Sequence, residues 1–245
     1  QAAGVHCGIR KNRAKKDLGL IVSDRPASAA AVYTRNLVKG APLTVTQAHI
    51  ADGRARAIVC NSGIANTCAF DGIEKAEAMC ALTAEALGID AADVVVASTG
   101  VIGPSIDIAP IAAGLPRLAA ALSAQGSADA AEAIMTTDTR KKEFAVTFQA
   151  DGRTCTLGGI AKGSGMIAPN MATMLCFLTT DAAIAPQLLH EALLAVVDDT
   201  FNMLSVDGDT STNDMVVVLA NGAAGNTLVT EKNADYDAFL EALHA

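Results

Sequence analysis

The residues best placed to do chemistry lie in one short run, Lys162-Gly163-Ser164-Gly165-Met166-Ile167-Ala168-Pro169-Asn170-Met171-Ala172-Thr173. A lysine, two glycines and a Pro-Asn turn precede a threonine that opens an apolar run, Met174-Leu175-Cys176-Phe177-Leu178. This is not a phosphate-binding loop of the form GxxxxGK[ST], because the lysine comes before the glycines. A threonine hydroxyl is a weak nucleophile until a base removes its proton, and an α-amine on the same residue can be that base. An α-amine of pKa about 8 suits general-base work near neutral pH. Freeing it requires cleavage between Ala172 and Thr173. A loop strained at Pro169 could push the Thr173 hydroxyl against the Ala172 carbonyl, so that the chain cuts itself.

Four further polar and glycine-rich segments are set against apolar runs. Asn61-Ser62-Gly63-Ile64-Ala65-Asn66-Thr67 and Ser98-Thr99-Gly100-Val101-Ile102-Gly103 each follow a β-branched run, where loops supply ligand groups. A Thr-Gly turn can aim backbone N–H groups and a hydroxyl at a developing oxyanion, or simply turn the chain. Thr136-Thr137-Asp138-Thr139 offers three hydroxyls and a carboxylate to a polar ligand, or caps a helix. Asp207-Gly208-Asp209-Thr210-Ser211-Thr212-Asn213-Asp214 resembles a calcium loop, but no glutamate closes it at EF-hand spacing.

These segments must be positioned by the elements between them. Strand candidates are Leu18–Val22, Ala30–Thr34, Ala57–Cys60, Asp93–Ala97, Met174–Thr179 and Met215–Ala220. Phe144–Gln149 and Thr154–Gly158 flank Asp151-Gly152, a hairpin signal because both residues tolerate positive φ. Gly72–Leu87 reads as a helix with Ile73, Ala76, Met79, Cys80 and Leu87 on one face, stopped by Gly88. Gln187–Asp199 is a second helix behind Pro186, with Leu189, Leu193, Val196 and Val197 as its core stripe. Tyr236, Phe239, Leu240 and Leu243 form a third apolar face, expected to lie exposed. The Ala/Gly/Ser stretch 119–131 is linker-like or a surface helix. Strands mixed with helices predict layered α/β architecture, with residues 1–245 as a single region.

The composition, 51% hydrophobic and 18% charged, excludes a disordered chain, and the scarcity of aromatics implies a core of small aliphatic side chains. A net charge of −8 argues against nucleic-acid and anionic-membrane partners. The basic cluster Arg10–Lys16 reads as a solvated surface segment. Six cysteines without a CxxC pair, several inside apolar runs, read as buried reduced thiols. Four scattered histidines offer no metal-ligand spacing, so no metal is expected. No signal peptide or membrane-spanning run is present, and the absence of a leading methionine suggests that a few residues precede Gln1.

Taken together, the stretches 18–43 (LGLIVSDRPASAAAVYTRNLVKGAPL), 61–66 (NSGIAN), 97–103 (ASTGVIG), 135–139 (MTTDT), 158–175 (GGIAKGSGMIAPNMATML) and 206–214 (VDGDTSTND) resemble the ornithine acetyltransferase family of arginine biosynthesis. The family is also called bifunctional glutamate N-acetyltransferase. The resemblance implies a fold of layered sheets flanked by helices, of the N-terminal-nucleophile type. It implies cleavage before Thr173, giving a 1–172 α chain and a β chain that starts at Thr173. Thr173 then takes an acetyl group from N-acetylornithine and passes it to glutamate. By the same resemblance Thr99 and Gly100 form the oxyanion hole, while Thr136, Lys162 and Thr173 contact substrate. No resident cofactor is implied, although some members also accept acetyl-CoA as donor. The implied assembly is an α2β2 heterotetramer in the cytoplasm, or in the mitochondrial matrix of a eukaryote.

Chains of this family run on through a DGEGATK-type segment and a PNWGR-type segment, neither of which is among these 245 residues. The resemblance therefore implies a C-terminally truncated chain lacking a substrate-binding glutamate. Two other readings stand beside the acetyltransferase: an N-terminal-nucleophile amidase or aminopeptidase, and a truncated fragment that turns nothing over.

Overall fold

The computed structural model describes residues 1–166, 174–204 and 206–245. Eight strands form one mixed sheet: β1 (Ala2–Val5), β2 (Leu18–Tyr33), β3 (Arg54–Ile64), β4 (Val94–Val101), β5 (Lys142–Ala150), β6 (Arg153–Lys162), β7 (Leu175–Thr180) and β8 (Met215–Ala220). Their order is β4-β3-β2-β8-β7-β6-β5, with β1 paired to the first half of β2. The β3–β4 and β7–β8 pairs are parallel and the others antiparallel. Six helices cover the sheet: α1 (Ala41–His49), α2 (Gly72–Leu87), α3 (Ile108–Ala120), α4 (Ser127–Ile134), α5 (Pro186–Val197) and α6 (Ala234–His244).

The two-residue period of each strand decides which core a side chain joins. Along β8, Val216, Val218 and Ala220 pack with α5 and α6, whereas Met215, Val217 and Leu219 join the core that includes α4. A third core sets Met79, Cys80, Ile111 and Leu115 of α2 and α3 against Val59, Val94 and Val96. Alanine and valine are the most frequent residues of the buried core, as the small-residue composition leads one to expect. The fold is layered α/β.

Several elements differ from the sequence expectation. Leu18–Val22 and Ala30–Thr34 are two halves of one strand, β2, whose register slips between Val22 and Ala27. The exposed Asp24-Arg25-Pro26 sits in that irregularity, a bulge where proline is tolerated. The stretch 119–131 is neither linker nor surface helix, because α4 begins within it and buries Ala130 and Ala131 completely. Ile73 is 46% exposed and leaves the predicted core face of α2. The apolar face of α6 is covered: Phe239 is fully buried, its ring 5.8 Å from that of Phe148 on β5.

The hairpin signal at Asp151-Gly152 holds, with φ of 51° and 66°, and Gly88 ends α2 at φ 66°. All six cysteines are free thiols; Cys60, Cys80, Cys155 and Cys176 are buried, but Cys68 is exposed. Burial pushes the Cys60 and Cys176 thiols up to about 12. Among the described residues, no helix is long and apolar enough to cross a membrane.

Candidate active site

The β3–β4 ladder runs on to Ile64 and Val101, so Asn61–Ile64 and Ser98–Val101 are strand ends rather than loops. Gly63 and Gly100 lie opposite each other there, at φ 115° and 138°. A Cβ on Gly100 would stand 2.2 Å from the Gly63 carbonyl carbon, so no larger residue fits. Thr99 beside it is nearly buried.

Asn213, from the segment whose role the sequence left unassigned, clamps these ends together. Its Nδ2 donates to the Ala65 carbonyl at 2.7 Å and to the Ser98 carbonyl at 3.0 Å. Its Oδ1 accepts from the Thr67 and Thr212 hydroxyls, each at 2.6 Å. A buried amide with donors and acceptor all engaged is a fixed joint. Among the described residues, no group of three His, Cys, Asp or Glu side chains is placed to hold a metal.

Thr136–Thr139 is not a helix cap. The buried Asp138 carboxylate accepts from Lys142 Nζ at 2.5 Å and from the Gly163 amide at 2.8 Å through Oδ1. Its Oδ2 accepts from the Thr136 amide at 3.4 Å. Burial pushes this carboxyl upward, but Lys142 and the two amides outweigh it and hold it below the ordinary range. Asp138 thus staples the Thr136–Thr137 turn to the end of β6. Thr137 Oγ1 and Ser164 Oγ close the same seam at 2.6 Å.

Lys162 is the last residue of β6 and only 4% exposed. Its ammonium has no hydrogen-bonded or ion-paired partner among the described residues. Desolvation lowers its pKa, against the fields of Asp138, Cys60 and Asp214. A buried, unpaired cation is costly unless an anion completes it, which marks the position as a receptor for one.

Arg10 departs from the solvated reading of the basic cluster. Lys11, Arg13 and Lys15 are exposed, but the Arg10 guanidinium turns inward and donates to the Met135 carbonyl. Burial lowers its pKa.

Ala172 and Thr173 lie outside the described residues. Met174, next in sequence to Thr173, donates its amide to Asp214 Oδ1 at 2.9 Å. Asp214 is 1% exposed, and burial pushes its carboxyl up to about 7 against the Met174 amide, Ser211 and Lys162. Its Oδ2 has no partner among the described residues.

Thr99, Gly100, Thr136 and Lys162 all line one cavity of about 550 Å³, with Arg10 and Asn213 beside them. No acidic side chain is among its described lining residues. A larger cavity of about 700 Å³, bounded by Gln1, Phe144 and Asp181, contains none of these groups. The site cavity combines two cations, several hydroxyls and a Gly-Gly backbone contact, a set suited to an anionic substrate undergoing acyl transfer. Sequence reasoning missed Arg10, which it placed in a solvated cluster. It singled out Asp138 as a carboxylate for a polar ligand, where the structure gives it a stapling contact, and it marked the 207–214 segment without giving Asn213 a role.

The ArgJ family model matches residues 1–245. The arginine biosynthesis bifunctional protein ArgJ of Symbiobacterium thermophilum is 53% identical over 246 residues, covering 100% of this chain and 61% of that protein. The chain therefore spans about three fifths of the length of such curated relatives. The crystal structure of ArgJ from Bacillus halodurans superposes with a TM-score of 0.65 at 45% identity, over 70% of this chain and 90% of that one. Ornithine acetyltransferase of Mycobacterium tuberculosis, crystallised with ornithine, gives 0.61 at 34% identity, over 71% and 91%. An aminopeptidase of Ochrobactrum anthropi described as a variant of the Ntn hydrolase fold gives 0.51 at 11% identity over 99% of this chain, a likeness of fold alone.

Proposed function

Because this chain belongs to the ArgJ family, we propose that it forms the acyl-transfer site of a self-cleaving acetyltransferase that moves acetyl from N-acetylornithine to glutamate. The carrying observation is the buried Lys162 ammonium, with no hydrogen-bonded or ion-paired partner among the described residues, in one cavity with Thr99, Gly100 and Thr136.

In the proposed reaction the Thr173 hydroxyl attacks the Ala172 carbonyl, and the amide becomes an ester as its nitrogen leaves as the α-amine. Water hydrolyses that ester to a carboxylate on Ala172 and a free hydroxyl on Thr173. The new α-amine then takes the Thr173 hydroxyl proton. The hydroxyl oxygen attacks the acetyl carbon of the donor, and negative charge moves onto the carbonyl oxygen. Thr99 and Gly100 stabilise that charge, in the shape that the Gly63–Gly100 contact and the Asn213 clamp hold ready. Collapse returns the proton to the departing amine, releases ornithine and leaves an acetyl ester on Thr173. The glutamate amine then attacks the ester, and the same groups run in reverse. Lys162 binds the carboxylate common to donor and acceptor, and Thr136 orients it by hydrogen bonding.

Two observations support the cleavage. The solved relatives named ArgJ and ornithine acetyltransferase align over 70% and 71% of this chain, close to the 172 residues that precede Thr173. Met174 is anchored to Asp214 immediately after the scissile position. Acetyl-CoA as an alternative donor is consistent with the word bifunctional in the relatives' names. We assign the cleaved halves to an α2β2 assembly, acting on these small molecules without nucleic acid or membrane, in the cytoplasm or the mitochondrial matrix.

Acetyl transfer from N-acetylornithine, measured with glutamate and with water as competing acceptors, tests the reading. Faster transfer to glutamate is expected. Hydrolysis at an equal rate, whether or not glutamate is added, would make the protein an amidase instead.

A further inference from the structure

The site cavity contains a second cation that the proposed reaction does not use. Arg10 is presented by a loop wound around one carboxylate. The fully buried Asp17 accepts the amides of Cys7 at 2.6 Å, Gly8 at 3.2 Å and Arg10 at 2.9 Å, with His6 Nδ1 at 3.1 Å. Three converging amides leave the loop little freedom. From this anchor the side chain crosses Gly63, where a Cβ would meet Arg10 Cγ at 3.1 Å. Gly63 is the residue opposite Gly100 in the ladder. The stem of Arg10 therefore lies over the strand pair that carries the proposed oxyanion groups.

The guanidinium donates to the Met135 carbonyl and pairs with no carboxylate among the described residues. One carbonyl engages one of its five N–H donors. Arg10 lines the same cavity as Lys162, and none of the described lining residues is acidic. Two cations in a pocket without acidic side chains complement a ligand with two negative groups. A mono-carboxylate such as N-acetylornithine satisfies only one of them, and its side-chain ammonium gains nothing near the other.

We propose that Arg10 is a specificity-determining residue, whose guanidinium recognises the side-chain carboxylate of an acidic amino-acid acceptor while Lys162 holds the carboxylate that donor and acceptor share. The assignment rests on the acetyl-transfer reading above and adds the residue that selects the acceptor. It also gives Gly63 a function: a larger residue there would lift Arg10 off the strands.

The experiment uses the complete gene product, with glutamate and its neutral isostere glutamine as acceptors. Wild type is expected to favour glutamate in kcat/KM. In Arg10→Met, which keeps the apolar stem over Gly63 and loses the charge, that preference is expected to fall by about tenfold or more, mainly through a higher KM for glutamate. Acetyl loading of the variant from N-acetylornithine, followed by mass, shows that it folds and reacts; Arg10→Gln serves if Arg10→Met does not load. Equal use of glutamate and glutamine by wild type would overturn the proposal, as would an unchanged preference in a variant that loads. A wild type that never acquires acetyl from the donor would instead overturn the acetyltransferase reading.

Discussion

Replacing Asp214 by asparagine should change how stability responds to pH. The carboxyl is 1% exposed and lies at about 7 in the fold, against an ordinary 3.8 in the unfolded chain. Between those values the folded chain retains a proton that the unfolded chain has released. Stability from this group is therefore fully present below about pH 4 and is lost as pH rises toward 7, with no further loss above. The slope reaches about 1.4 kcal/mol per pH unit, and the whole window is worth about 4 kcal/mol. The carboxamide of the Asp214→Asn variant would keep an oxygen in the place of Oδ1 to accept the Met174 amide, but has no proton to lose. Urea unfolding of Asp214→Asn and wild type from pH 4 to pH 8.5 measures the difference directly. The gap between the two curves should move by up to about 4 kcal/mol in favour of the variant by pH 8. Parallel curves would refute the reasoning, because they would mean that Asp214 titrates alike in the folded and unfolded chains.

Asn213→Ala removes the amide that donates to the Ala65 and Ser98 carbonyls and accepts from the Thr67 and Thr212 hydroxyls. Thr67 Oγ1 still reaches the Ala65 carbonyl and Thr212 Oγ1 still reaches Thr67 Oγ1, so one or two groups are left unpaired. At about 1–3 kcal/mol for each, a loss of about 2–5 kcal/mol is expected, seen as a Tm lower by about 10 °C. Lys162→Met should raise the KM of donor and acceptor together by about tenfold or more, since both present a carboxylate to it. The same change removes a buried cation that has no hydrogen-bonded or ion-paired partner among the described residues, so Tm should hold or rise; a fall would show that the ammonium has a structural partner.

Much of the fold was legible in local pattern. The strand Met215–Ala220 coincides with its apolar run, and Pro186 opens α5. Failures came where the sequence imitates a boundary. Asp24-Arg25-Pro26 has the composition of a turn, yet β2 continues through it because its pairing passes from β1 and the outer half of β3 to β8. Asn61, Ser62 and Ser98 look like loop residues, yet they are buried strand. Ser62 donates to the distant Ala133 carbonyl and Asn61 Nδ2 to the Ile64 carbonyl, while Asn61 Oδ1 and the Ser98 hydroxyl have no partner among the described residues. In the site, Thr99, Gly100, Thr136 and Lys162 were found through resemblance, and the structure brings them to one cavity. Arg10 was not found, since nothing in Arg10-Lys11-Asn12-Arg13 marks one member as turned inward. That distinction comes from Asp17 and the absent side chain of Gly63, which are tertiary facts. Asn213 was hidden for the same reason, because its partners Ala65, Thr67 and Ser98 lie more than a hundred residues away in sequence.

The central claim is that this cavity serves an acetyl group carried on Thr173. Intact-mass and peptide mass spectrometry of the complete gene product, before and after incubation with N-acetylornithine, test it most directly. The account predicts a chain ending at Ala172, a second chain beginning at Thr173, and a single added acetyl group on Thr173 that glutamate removes. An unbroken chain, or an acetyl group that settles elsewhere and stays when glutamate is added, would contradict it.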